Sequence, residues 1–357
     1  MSFLRCTPSV FVIGNEYEIL ILTERCGRIC VTVGNETFYE PNSGVLPSER
    51  LVAKIRLPQA TLDREAAYTI RFCATVERRA YGSVFAEEET RTFSFAPLRK
   101  TEDIHVYHIA DVHYRFELAK KTASYFGDAL DLLIVNGDIG EVETEENYFE
   151  VCRLIGEIAG GRVPVLFARG NHDTRGRLAE RFTDYFPNQA LRTYYTFELG
   201  PLAGVVLDCG EDKDDSHPEY GGANAFAPFR REESTFLYGI TPVPDKIPFA
   251  VCHICPVQTT ARAGSKFDIE RDVYATWNTE LERLGIRFML CGHIHRTYML
   301  FPDDDAALLP HNYPVIVGSA CSPDDLWGTA LTIHPHGATV CFTDSGHNVR
   351  EKYELTF

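Results

Sequence analysis

The sequence predicts an α/β fold preceded by an all-β region, on three observations. From residue 104 onward, apolar strand-like runs alternate with helical stretches, the pattern of strand–helix–strand units. Residues 1–100 offer strand runs and turn residues but almost no helical periodicity. Finally, five apolar runs stop abruptly at polar side chains. Residues 104–110 end at Asp111-Val112-His113, 132–136 at Gly137-Asp138, and 163–168 at Arg169-Gly170-Asn171-His172-Asp173. Residues 249–252 end at His253, and 288–291 at Gly292-His293-Ile294-His295. The C-terminal edge of a parallel sheet is where open α/β folds bind ligands.

In order along the chain, residues 10–13, 18–22, 28–33, 51–57, 67–77 and 88–94 read as strands. Gly14-Asn15, Gly34-Asn35 and Pro41-Asn42-Ser43-Gly44 separate them as turns. This spacing predicts an immunoglobulin- or fibronectin-like sandwich of about seven strands. It carries no catalytic cluster and reads as a structural or recognition module, joined by Pro97-Leu98-Arg99-Lys100 to a second domain over 101–357. There, helices are expected at 116–130, 145–159 and 177–185. Glu145 and Glu146 suit the positive N-terminal end of the second helix dipole. Asp111, Asp138 and Asn171 are each spaced by about one strand–helix–strand unit, roughly 30 residues. Residues 192–199 and 203–207 read as paired strands, 230–240 and 269–284 as helices, and 315–319, 329–334 and 339–343 as closing strands. The polar stretch 208–231 between them is a long loop of the kind that usually carries function.

The chain has 357 residues, 45% hydrophobic and 24% charged, enough for two domains and a large core. It contains no apolar run of membrane-spanning length, ~18 residues, and no secretory leader is read at the N-terminus. Its eleven cysteines have no short-spaced framework, which points to reduced thiols and a cytoplasmic setting. Cys252 and Cys255 have CxxC spacing, but Cys252 falls in a strand and the intervening His253 has a better use as a ligand. The net charge of -16 argues against a dedicated nucleic-acid binder.

Asp111, His113, Asp138, Asn171, His253, His293 and His295 supply two carboxylates, one amide oxygen and four imidazoles. That is too many for one tetrahedral ion and suits two ions sharing a carboxylate. Mixed nitrogen and oxygen ligation favours divalent transition metals, with Mn, Fe and Zn foremost, over Ca or Mg. Two ions ~3.5–4 Å apart can clamp a phosphoryl oxygen and activate water for in-line attack on a phosphate ester.

These same blocks, Asp111-x-His113, Gly137-Asp138, Gly170-Asn171-His172-Asp173, His253 and Gly292-His293-x-His295, resemble the five-block pattern of calcineurin-like metallophosphoesterases. The resemblance spans residues 104–342. It implies a four-layer αββα sandwich of two mixed sheets. It also implies that Asp111, His113, Asp138 and His295 hold one ion, and Asp138, Asn171, His253 and His293 the other. His172 would face the phosphate and serve the leaving oxygen, with Asp173 orienting its ring.

The preceding β-region is similar in layout to purple acid phosphatases. Those carry Asp-x-Gly and a metal-bound tyrosine where this chain has His113 and Glu141, so the site resembles the broader family. Arg175 is a candidate fork donor to a substrate phosphate. His217, Tyr220, Asn224, Arg230 and Arg262 are candidates for the cleft wall, and Trp277 and Trp327 read as packing residues. The expected partner is a small-molecule phosphate mono- or diester. A non-catalytic metal-binding adaptor would be expected to lose ligands or His172, and all are intact. A nuclease would be expected to carry a basic stripe, which is absent.

Overall fold

The structure, a computed structural model, describes residues 2–40 and 42–357. Two mixed sheets stack face to face. The first has the strand order Val349–Thr356, Gly337–Thr343, Leu326–His334, Ile104–Ile109, Leu132–Asn136, Pro164–Ala168, Ser9–Ile13, Glu16–Leu22, Val52–Pro58. Its central strands, from Ile104–Ile109 through Ser9–Ile13, are parallel. The second sheet runs Tyr195–Leu199, Leu202–Leu207, Ile247–Cys252, Met289–Cys291, Val315–Cys321, with Arg296–Leu300 on the far side of Val315–Cys321. The two sheets join at one corner, where Ala320 and Cys321 pair with Trp327 and Leu326.

Every residue of Leu132–Asn136 and Pro164–Ala168 is buried, as expected of parallel strands covered on both faces. One core, containing Val106, Ile134, Leu166, Val251, Leu290 and Ile316, lies between the sheets. A second packs Phe116–Ala123 and Glu145–Ala159 on the first sheet. A third packs Phe226–Gly239 and Arg271–Arg283 on the second sheet, around the buried Trp277. These are the four αββα layers.

Glu145–Ala159 shows why one expected helix has its predicted bounds. Thr144 and Asn147 form a capping box, Glu145 and Glu146 fill the first turn, and Gly160 closes the helix with φ 64°. The 116–130 helix is shorter than expected. It ends at Ala123 and continues as a 3-10 segment, Ser124–Ala129, broken at Gly127. The helix expected at 177–185 shrinks to two short turns, Ala179–Arg181 and Phe182–Tyr185.

The N-terminal strands form two facing sheets. One comprises Glu36–Tyr39, Gly27–Val33, Ala67–Glu77, Val84–Phe85 and Glu89–Ser94. The facing strands Ser9–Ile13, Glu16–Leu22 and Val52–Pro58 are part of the first sheet, where Val10 and Phe11 pair with Pro164 and Val165. Strand pairing therefore crosses residue 100. Segment 97–100 is also anchored at its edges: Ala96 N–H donates to Arg162 O at 2.9 Å, and Leu98 is buried. Among the described residues, no helix is long and apolar enough to cross a membrane.

Candidate metal centre

The parallel strands deliver all five polar blocks to one edge. Five of the seven candidate ligands, Asp111, His113, Asp138, His293 and His295, have positive φ between 43° and 76°. Each such residue costs on the order of 1–3 kcal/mol and persists only where its surroundings over-determine it. The strand ends must therefore turn sharply inward. Two glycines permit this, because a Cβ on Gly137 would collide with Gly170, and one on Gly170 with Asp138.

Two groups of donors result. Asp111, His113 and His295 can bring ligand atoms within 4.8 Å of one another, as can Asp138, His253 and His293. In the first group, His113 Nε2 and His295 Nε2 are 3.1 Å apart, and Asp111 Oδ1 lies 3.4 Å from His295 Nε2. Asp111 is held by the His293 amide, at 2.9 Å from Oδ2, and by the Ser319 hydroxyl. In the second group, His253 Nδ1 contacts Asn136 O at 2.6 Å, which aims Nε2 into the site. His293 Nδ1 lies 2.9 Å from Asn171 Oδ1. Asp138 Oδ2 faces both groups, 3.2 Å from His253 Nε2 and 3.9 Å from His113 Nε2.

The donor chemistry fits cations. His253 Nε2 is buried between two carboxylates, 3.2 Å from Asp138 Oδ2 and 3.8 Å from Asp111 Oδ1, without a well-aligned hydrogen bond to either, an arrangement that suits a shared cation. Burial disfavours a charged His253, but the Asp138 and Asp111 carboxylates overrule it and raise the imidazole to about 10. Hydrogen bonding to Asp111, then to Cys321, raises His295 to about 10 as well. The buried carboxylates thus draw positive charge to the positions a metal would take.

His172 sits outside both groups. Its backbone amide donates to Asp138 Oδ1 at 2.8 Å, while its ring is 39% exposed, with Nε2 4.0 Å from Asp138 Oδ2. Asp173 does not orient that ring. Its Oδ2 accepts from the Gly170 and Asp138 amides at 2.8 and 3.1 Å. The 3-10 turn His172–Thr174 carries the two side chains in different directions, so Asp173 braces the loops beneath the site. Arg175 is likewise engaged elsewhere, in a bidentate pair with the buried Glu211 at 2.5 and 2.7 Å. A guanidinium so committed has no free fork for a phosphate.

Arg230 is a buried strut that donates to the carbonyls of Cys209, at 2.7 Å, and Glu211. Tyr220 is buried against Glu211 and Asp212. His217 caps the turn Pro218–Tyr220, and Asn224 lines a cavity with Arg169 and Phe229. Arg262 shares a small cleft with Cys255, His293 and Tyr298. Trp327 donates to Asp325 at 2.8 Å. Cys252 faces Cys209, Sγ to Sγ 3.4 Å, rather than its CxxC partner.

Sequence reasoning missed Ser319, the Asn136 carbonyl and Asp212, whose Oδ2 lies 3.4 Å from His293 Nε2. Asp212 stands in an acidic run that carries no local sign of pointing inward.

Residues 104–297, more than half of the chain, match the calcineurin-like phosphoesterase family. No curated protein matches the chain. Among solved structures, a purple acid phosphatase from yellow lupin (Lupinus luteus) seeds superposes with a TM-score of 0.62 at 12% identity, covering 98% of this chain and 74% of the lupin chain. PhoD gives a TM-score of 0.57 at 10% identity, covering 98% of this chain and 88% of its own. Both share the fold, including its β-rich N-terminal part. The family match covers all four strand ends from Asp111 to His253 and the Gly292-His293-x-His295 turn, and the chain belongs to the calcineurin-like phosphoesterase family.

Proposed function

We propose that the chain hydrolyses a small-molecule phosphate mono- or diester using two divalent transition-metal ions, of which Mn, Fe and Zn suit the donors best. Asp111, His113, Asp138 and His295 would hold one, and Asp138, Asn171, His253 and His293 the other. The observation that carries this reading is Asp138 Oδ2, which faces an imidazole of each group, at 3.2 and 3.9 Å. Two such ions, when bound, supply a Lewis-acid clamp for phosphoryl oxygens and make water nucleophilic near neutral pH.

The remaining work falls to the chain's own residues. His172 is tethered by its amide and exposed at its ring, so the imidazole is available to a leaving oxygen and can donate a proton or hydrogen bond to it. Asp173 keeps the Asp138 and Asn171 loops in register through two amides. The acidic surface, net -16, favours a small ester over a polyanion. All eleven cysteines are free, which supports a reducing, cytoplasmic setting.

The test is a panel of phosphate mono- and diesters assayed with Mn-loaded protein. Turnover of at least one class, lost to a chelator and restored by Mn, is expected. Protein that binds two ions and turns over no ester would contradict an enzymatic role and favour an adaptor.

A further inference from the structure

The irregular segment between Leu202–Leu207 and Phe226–Gly239, the first part of the 208–231 stretch, brings Asp212 to the metal centre. His293 presents Nδ1 to Asn171 Oδ1 at 2.9 Å, while its Nε2 lies 3.4 Å from Asp212 Oδ2. The two ring nitrogens point apart, so Asp212 stands behind His293 and cannot share the position that Nδ1 and Asn171 face. The carboxylate is itself held in place. Its Oδ1 accepts from Lys213 Nζ at 2.7 Å and from Tyr220 OH at 3.2 Å. Lys213 is only 5% exposed and also pairs with Glu219 at 3.3 Å. Burying a lysine is costly unless a carboxylate pairs with it, so this cluster sets one geometry for Asp212. The neighbouring Glu211 ties the same loop to the Asn171 turn through Arg175 and Thr174.

We propose that Asp212 is a positioning residue for the metal group of Asp138, Asn171, His253 and His293. Its negative charge behind the ring favours the proton on Nε2, which leaves the Nδ1 lone pair for a cation and makes it a better donor. A carboxylate behind a ligating histidine acts in this way in metal proteins generally, and its loss typically costs ~10–100-fold in metal affinity. The inference rests on the two-ion reading above. It adds that the segment before Phe226–Gly239, whose sequence lies outside the five blocks, sets the strength of one of the two sites.

Titrating Mn(II) into the metal-free full chain by calorimetry tests it, with wild type, Asp212→Asn, Asp212→Ala and Asp212→Glu compared. Wild type should bind two ions. Asp212→Asn, which keeps the size of the side chain but not its charge, should weaken one binding step about 10-fold or more and leave the other within twofold. Asp212→Ala should lose more at the same step, and Asp212→Glu should recover part of the loss. If wild type binds two ions and both Asn and Ala variants bind them within twofold of wild type, Asp212 has no positioning role. An equal loss at both steps in the Ala variant with none in the Asn variant would mark a general packing effect and overturn the assignment. If wild type binds fewer than two ions, the two-ion reading fails first and takes this one with it.

Discussion

The two donor groups differ in how much of the protein stands behind them. His113 and His295 have side chains 22% and 44% exposed, and each turns its Nε2 toward the other. Behind His295 stands Cys321 Sγ, 3.5 Å from Nδ1. His253 and His293, at 2% and 12%, are enclosed, one fixed by Asn136 O and the other set between Asn171 and Asp212. A site whose ligands are oriented before the ion arrives loses less side-chain freedom on binding. The enclosed group is therefore expected to hold its ion more tightly, and the open group to exchange its ion faster and face the substrate.

The largest effect should come from the residue common to both. Asp138→Ala is expected to strip both ions and abolish turnover, because each site loses a donor and the two cations lose the negative charge that offsets their mutual repulsion. Elemental analysis checks this, and a variant that retains both ions would break the idea of a shared carboxylate. Next in size is His172→Ala, at a residue that belongs to neither donor group and keeps its backbone amide on Asp138 when the ring is removed. It should lower kcat by ~10²–10⁴-fold with both ions retained, and by less for nitrophenyl esters, whose leaving oxygens need little protonation. If the variant loses metal, His172 belongs to the loop architecture instead of the chemistry.

Single-ligand variants sharpen the contrast itself. His295→Ala should lose one ion with little change in melting temperature, since the ring is partly exposed. His253→Ala should lose the other and also destabilise the fold by about 1–3 kcal/mol, because Asn136 O is left buried without its donor. Equal melting temperatures for the two would contradict the difference in enclosure.

The smallest effect concerns acid. His108, buried beneath the site with Nε2 3.0 Å from Asn136 Nδ2, is pushed down to about 3 by desolvation. The unfolded chain binds a proton near the ordinary value of ~6.5 and the folded one does not, so this contribution is full above that pH and is lost as pH falls toward 3. A His108→Gln variant should melt with a shallower pH dependence between 6.5 and 3 than wild type.

The metal blocks were legible in the sequence because each sits at the end of a short apolar run, and three of the five also carry a glycine that close approach requires, Gly137, Gly170 and Gly292. Those signals are local. The place of Ser9–Ile13 was not legible, since an apolar pentapeptide reads the same in a separate sandwich or beside Pro164–Ala168, and only a long-range pairing decides. For the same reason, cutting the chain at residue 100 would strip the neighbour of the strand that leads to Asn171. The separation of His172 from Asp173 was hidden too, because it depends on a single 3-10 turn. Arg175 looked free because its partner Glu211 lies far along the chain in a loop with no periodic pattern.

The central claim is a pair of ions sharing Asp138, and stoichiometry measured alongside activity tests it most directly. Mn(II) is added stepwise to metal-free protein while bound metal and ester turnover are followed together. Two ions per chain are expected, bound in two resolved steps, with turnover appearing only as the second site fills. Full turnover at one ion per chain would contradict the account.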